Sequence, residues 1–144
     1  MAKKHFVDFY SSHLGKTYGD GQCYAGAVEY VRWGLDLASL SVPGYLTAWA
    51  WGCDWKNTIL GQCCEQVSSP KDGDILFWNN HVCMYYQGKY FGQNQGTDGS
   101  GGPFNLMSVG IAPQIILRPN FISNGVTWTL TIIGGLIVSV QKNE

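Results

Sequence analysis

Asp74-Ile75-Leu76-Phe77-Trp78-Asn79-Asn80-His81-Val82-Cys83-Met84-Tyr85-Tyr86-Gln87-Gly88-Lys89-Tyr90-Phe91-Gly92-Gln93-Asn94 is the stretch that decides the fold. Two β-rich runs flank Gln87-Gly88, which reads as a hairpin with a two-residue loop. Counting back from that loop pairs Tyr86 with Lys89, Tyr85 with Tyr90, Cys83 with Gly92 and His81 with Asn94. Directly opposed side chains have Cβ atoms about 5 Å apart, so the Asn94 amide would orient the His81 imidazole. The same parity sends Gln93 to the other face. A single bulge would break the count.

Upstream, Asp20-Gly21-Gln22-Cys23-Tyr24 sets one cysteine behind a glycine turn at the start of a helical pattern. Ala27, Tyr30 and Val31 follow at helical spacing, and Asp20 is an acceptable N-cap. A thiol in the first turn faces exposed backbone N–H groups that favour the thiolate. Gln22 can donate a hydrogen bond to an oxyanion. The competing reading is a small buried cysteine at the end of a core helix. Cysteine at a helix start, then histidine and asparagine on successive strands, supplies the parts of a thiol acyl-transfer site.

These pieces resemble the CHAP family, the cysteine, histidine-dependent amidohydrolases and peptidases of the NlpC/P60-like group, as in bacteriophage endolysins and tail-associated lysins. The matching segments are Phe6 to Lys16 leading into Gly19-Asp20-Gly21-Gln22-Cys23, Asp72-Gly73-Asp74-Ile75, His81-Val82, Gly92-Gln93-Asn94 and Ile116-Leu117-Arg118-Pro119-Asn120. Their order and spacing carry the resemblance, over about residues 4 to 120. It implies an α+β papain-like fold, with N-terminal helices packed on an antiparallel β-sheet. It also implies Cys23 as nucleophile, His81 as general base, Asn94 as orienter, and Gln22 with the Cys23 N–H as oxyanion donors. The implied reaction is hydrolysis of peptidoglycan amide bonds through a thioester, as an endopeptidase or an N-acetylmuramoyl-L-alanine amidase.

The chain departs from the family pattern at Gly92, where many members carry Glu, and at Asn80, where Gly usually precedes the histidine. Between Leu14 and Cys23 the only acidic residue is Asp20, so no calcium site or other cofactor is expected. Two other readings stay open. One is a papain-like toxin or deamidase with a non-wall substrate; the other is a catalytically silent structural or wall-binding subunit of a phage or membrane assembly.

Composition bounds the partners. With 9 Lys plus Arg against 10 Asp plus Glu, the chain has no basic field for nucleic acid or an anionic wall. Its 144 residues, 45% hydrophobic, support one sizeable core. No apolar signal-peptide core follows Met1-Ala2-Lys3-Lys4-His5, so a cytoplasmic origin is expected, with wall access through a holin or on the virion. Five cysteines leave one unpaired in any disulfide scheme. Cys63, Cys64, His81 and Cys83 are a poor zinc set because vicinal cysteines do not match ligand spacing, and Cys83 reads as a packed strand residue. His5 and His13 read as ordinary residues of a surface or amphipathic helix.

The aromatic stretch Pro43 to Trp55 offers Tyr45, Trp49, Trp51 and Trp55; one or two of Trp49, Trp51 and Trp55 are expected to wall a substrate groove, the rest to fill core. Gly96 to Pro103 reads as a flexible loop at its rim. The expected division is a catalytic domain over 1–124 and an apolar extension over 125–144. Within the extension, Val126, Trp128, Leu130 and Ile132 alternate with threonines before Gly134-Gly135, which favours a hairpin over a short membrane segment. Self-association, phage-particle docking or membrane contact is assigned to 126–140.

Overall fold

The computed structural model describes residues 3–41, 47–108, 110–123 and 127–143. It is an α+β structure: N-terminal helices, a six-stranded antiparallel sheet and a separate two-stranded hairpin. The helices are α1 (Phe6–His13), α2 (Cys23–Gly34), α3 (Ala48–Cys53) and α4 (Ile59–Cys63). The strands are β1 (Cys64–Gln66), β2 (Ile75–Trp78), β3 (His81–Tyr86), β4 (Lys89–Gly92), β5 (Asn105–Met107), β6 (Ile115–Pro119), β7 (Thr127–Ile133) and β8 (Leu136–Asn143). The large sheet runs β1-β6-β2-β3-β4-β5.

Gln87 and Gly88 both have positive φ, 50° and 77°, the geometry a tight two-residue hairpin turn requires. That turn fixes the register Tyr86↔Lys89, Tyr85↔Tyr90 and Met84↔Phe91, as counted from the sequence. β2 lies buried along its whole length, between β3 and β6, which explains its unbroken apolar run Ile75-Leu76-Phe77-Trp78.

Side chains alternate across this sheet. Phe77, Val82, Met84 and Phe91 join the main core with Phe6 and Phe9 of α1 and Ala27, Tyr30 and Val31 of α2. Leu76, Trp78, Cys83 and Ile116 form a smaller cluster that Tyr85 and Tyr90 partly cover. The predicted spacing of Ala27, Tyr30 and Val31 therefore marks the buried stripe of α2, each being fully inaccessible. At its C-terminal end α2 presses so closely on Phe121 that a Cβ at Gly34 would lie 2.2 Å from that ring.

His13, expected to be an ordinary helix residue, is buried. Its Nε2 lies 2.7 Å from Glu29 Oε2, while Arg32 bonds both Glu29 oxygens at 2.5 and 2.9 Å. Burial alone would raise the Glu29 carboxyl, but Arg32 and His13 outweigh it and hold the group below its ordinary value. The cluster ties the end of α1 to the middle of α2, the helix that carries the cysteine.

Candidate functional site

Gly21, at φ 78°, turns the chain directly before α2. Gln22 is extended, and the helix begins at Cys23 itself. Asp20 is therefore not the N-cap; its Oδ1 accepts the Gln22 N–H at 3.0 Å and closes the turn one step earlier. Cys23 is left in the first helical turn, with its thiol against β3. Burial pushes that thiol up, opposed by backbone hydrogen bonds from Val82, Tyr24 and Cys23 itself.

His81 opens β3 opposite Trp78. Its Nε2 lies 2.8 Å from Gln95 Oε1. The Gln95 amide nitrogen faces acceptors only: Tyr90 O at 3.1 Å, Asn105 O at 3.2 Å and Asn105 Oδ1 at 3.0 Å. Its oxygen must therefore be the atom turned to His81, so His81 Nε2 carries the proton and donates it. The lone pair is then on Nδ1, which has no hydrogen-bond partner among the described residues. Burial pushes the imidazole pKa down, and the Gln95 bond partly opposes that. Cys23 and His81 share no hydrogen bond in this arrangement among the described residues.

Asn94 does not meet His81 as the register count expected. Alternation holds as far as Gly92, where a Cβ would come within 2.8 Å of Cys83 Cβ. Beyond it the chain leaves the strand, and Asn94 takes φ 56°, a left-handed conformation that Asn tolerates. That single turn breaks the period of two. Asn94 Nδ2 instead donates to Gln22 Oε1 at 2.9 Å, its Oδ1 accepts from Thr97 Oγ1, and Gln95 takes the place beside the imidazole. In the sequence Gln95 is one of three consecutive amides, Gln93-Asn94-Gln95, and carries no mark of its own. Gln93 does face away from His81: it is fully buried, accepts the Tyr18 N–H at 2.6 Å and donates to Tyr18 O and Gln22 O.

The glycine-rich loop is not a loose rim. Gly102 N–H donates to Gly21 O at 3.1 Å, and Gln22 Nε2 donates to Gly99 O at 3.1 Å. A Cβ at Gly101 would stand 2.7 Å from Asp20 O, so only glycine lets the loop lie this close to the cysteine turn. The Gln22 amide is thereby fixed at both ends, oxygen toward Asn94 and nitrogen toward Gly99, with one N–H left over.

A cleft of about 350 Å³ opens beside His81, lined also by Trp78, Asn94, Gln95, Met107 and Ile111; neither Cys23 nor Gln22 lines it. Trp78 Nε1 donates to Ile111 O at 2.9 Å and holds the cleft wall in place. None of Trp49, Trp51 and Trp55 lines it. Trp51 is fully buried edge-on to Phe77, while Trp49 and Trp55 pack half-buried against the main core. Tyr45 lies outside the described residues. Cys83 is fully buried opposite Gly92, and burial pushes its thiol well up. Cys63 and Cys64 have sulfurs 3.7 Å apart at the α4–β1 junction. Among the described residues no group of three or more His, Cys, Asp or Glu is placed to hold a metal ion, and no helix is long and apolar enough to cross a membrane.

The chain thus presents a helix-start thiol, an imidazole of defined tautomer and two separately anchored amides around one end of the sheet; no family model, characterised protein or solved structure matches it.

Proposed function

We propose that the chain is a cysteine amidohydrolase of the papain-like CHAP type, acting on amide bonds of bacterial peptidoglycan. The observation that carries this reading is the Gln95 network, which leaves His81 Nδ1 as a free base on the strand against which Cys23 rests. With the thiol raised and the imidazole lowered, the resting pair is neutral, so His81 acts as a general base during attack.

In the reaction, Nδ1 takes the Cys23 proton as the sulfur attacks the amide carbonyl. The spare N–H of Gln22 and the Cys23 N–H donate to the oxyanion. Collapse gives the thioester, and the imidazolium returns its proton to the departing amine. Water, activated by the same ring, then releases the carboxylate. Asn94 acts through Gln22 and Gln95 through His81, a division of labour between two neighbouring amides. The wall substrate rests on the family resemblance. It is supported by the mixed apolar and amide lining of the cleft, which suits a peptide stem.

Digestion of purified cell walls, with mass spectrometry of the products, tests the reading. New amino groups are the expected result, and their position identifies the bond; walls left intact would favour the silent structural subunit. That second reading draws support from the missing Cys23–His81 hydrogen bond and from the raised thiol pKa.

The two amides are separable by pH profile. Gln95→Ala should lower kcat about 10²-fold and move the acid limb of kcat/KM to lower pH, because the lost bond is one that raises the His81 pKa. The sign follows from the base role: activity is present above the His81 pKa and lost as pH falls through it. Asn94→Ala should lower kcat about tenfold with the acid limb unmoved. A shifted limb in Asn94→Ala and not in Gln95→Ala would reassign the orienting residue to Asn94.

A further inference from the structure

Among the described residues, the largest exposed apolar surface is the hairpin of β7 and β8. Leu130, Ile132, Ile133, Leu136, Ile137, Val138 and Val140 are each between 49% and 71% exposed. Gly134 and Gly135, at φ 61° and 81°, close the turn, and the register pairs Leu130↔Val140, Thr131↔Ser139, Ile132↔Ile137 and Ile133↔Leu136. The register shift beside Ile132 leaves Val138 as the extra residue of a bulge. Alternation therefore gathers Leu130, Ile132, Ile137 and Val140 on one face. Thr131, Ser139 and Gln141 lie on the other, with Ile133 and Leu136 beside the turn.

A two-stranded hairpin is marginal in water until a further layer covers its apolar face. We propose that this layer is the same hairpin of a second copy, the two apolar faces packed against each other about a twofold axis. Charge supports that occupant. No Asp, Glu, Lys, Arg or His stands between Arg118 and Lys142, so the face meets itself with no like-charge repulsion. The same absence removes the basic residues through which surface-bound segments usually hold an anionic bilayer.

Area agrees as well. The four face residues and Val138 each offer on the order of 100 Å². Two copies would bury roughly 1,000 Å² in all, the threshold of a specific interface. The face of Thr131, Ser139 and Gln141 stays outward, polar along its length and apolar only at Ile133 and Leu136 beside the turn.

Sedimentation equilibrium of the full chain over about 1–100 μM is the test. The expected mass at high concentration is twice the 15.9 kDa of one chain. Ile132→Lys and Ile137→Lys, both at exposed positions, should raise the dimer Kd at least tenfold. Thr131→Lys, on the opposite face of the same hairpin, should leave it within about threefold and controls for added charge. A monomer throughout would overturn the proposal, as would equal effects of the three variants. A monomer that floats with phosphatidylcholine vesicles, and loses them on Ile132→Lys, would overturn it in favour of a lipid surface.

Discussion

Cys23→Ser is expected to reduce wall hydrolysis by at least about 10³-fold while leaving the thermal unfolding curve unchanged. The hydroxyl is a far weaker nucleophile than the thiol, and the proposed base, His81, has its pKa pushed down by burial. Cys23 is only half-buried at a helix start, so replacing sulfur by oxygen disturbs little packing. His81→Ala should fall to the same level, and the double variant should be no worse than either single one, because members of one nucleophilic unit fail together. Cys83→Ala is the control for the rival thiol. Its sulfur is fully buried among Leu76, Trp78 and Ile116, so the substitution should lower stability by about 1 kcal/mol and leave turnover near wild type. Initial rates of dye release from labelled walls check all four proteins. Retained activity in Cys23→Ser with loss in Cys83→Ala would transfer the chemistry to the sheet.

The part of this arrangement legible in the sequence is the part governed by short-range periodicity. The turn at Gln87-Gly88 fixes β3 against β4 by counting alone, because every residue from Met84 to Phe91 is extended or in the turn. The buried stripe of α2 follows from the spacing of Ala27, Tyr30 and Val31 for the same reason. Counting fails at Asn94, where one left-handed residue ends the alternation; nothing in Gly92-Gln93-Asn94-Gln95 marks which amide turns toward the histidine. The contact of Gly101 with Asp20 is long-range and depends on the missing Cβ, which composition shows only as a glycine-rich loop. Trp51 illustrates a different limit. An indole suits a sugar platform and a core equally well, and tertiary packing against Phe77 decides between them. The burial of His13 is not legible from its own helix because its partner, Glu29, lies on another.

Arg118→Met should be among the most destabilising single changes in the chain, at about 3–5 kcal/mol, a large share of the roughly 5–15 kcal/mol expected for a domain. Two segments that carried the family resemblance, Asp72-Gly73-Asp74-Ile75 and Ile116-Leu117-Arg118, meet here, since β2 and β6 pair at Ile75↔Leu117. Arg118 donates to both oxygens of the fully buried Asp74, from Nε at 3.1 Å and Nη2 at 2.8 Å, and Asp74 Oδ2 also accepts the Lys71 N–H at 2.8 Å. Burial pushes the Asp74 carboxyl above its ordinary value even with the guanidinium in place. Removing Arg118 takes away the main opposing charge and raises it further. A group raised in the folded state favours folding below its unfolded pKa, and that contribution is lost as pH rises through the folded pKa. The penalty of Arg118→Met should therefore be greatest near pH 7 and shrink as pH falls and Asp74 takes up a proton. Urea unfolding at several pH values measures this. Asp74→Asn combined with Arg118→Met should recover most of the loss at pH 7, because the amide oxygen still accepts the Lys71 N–H and no buried charge remains. A loss in Arg118→Met that is independent of pH, or undiminished in the double variant, would show that the guanidinium acts through its bond to Ser69 O at 3.1 Å and its packing, and not through Asp74.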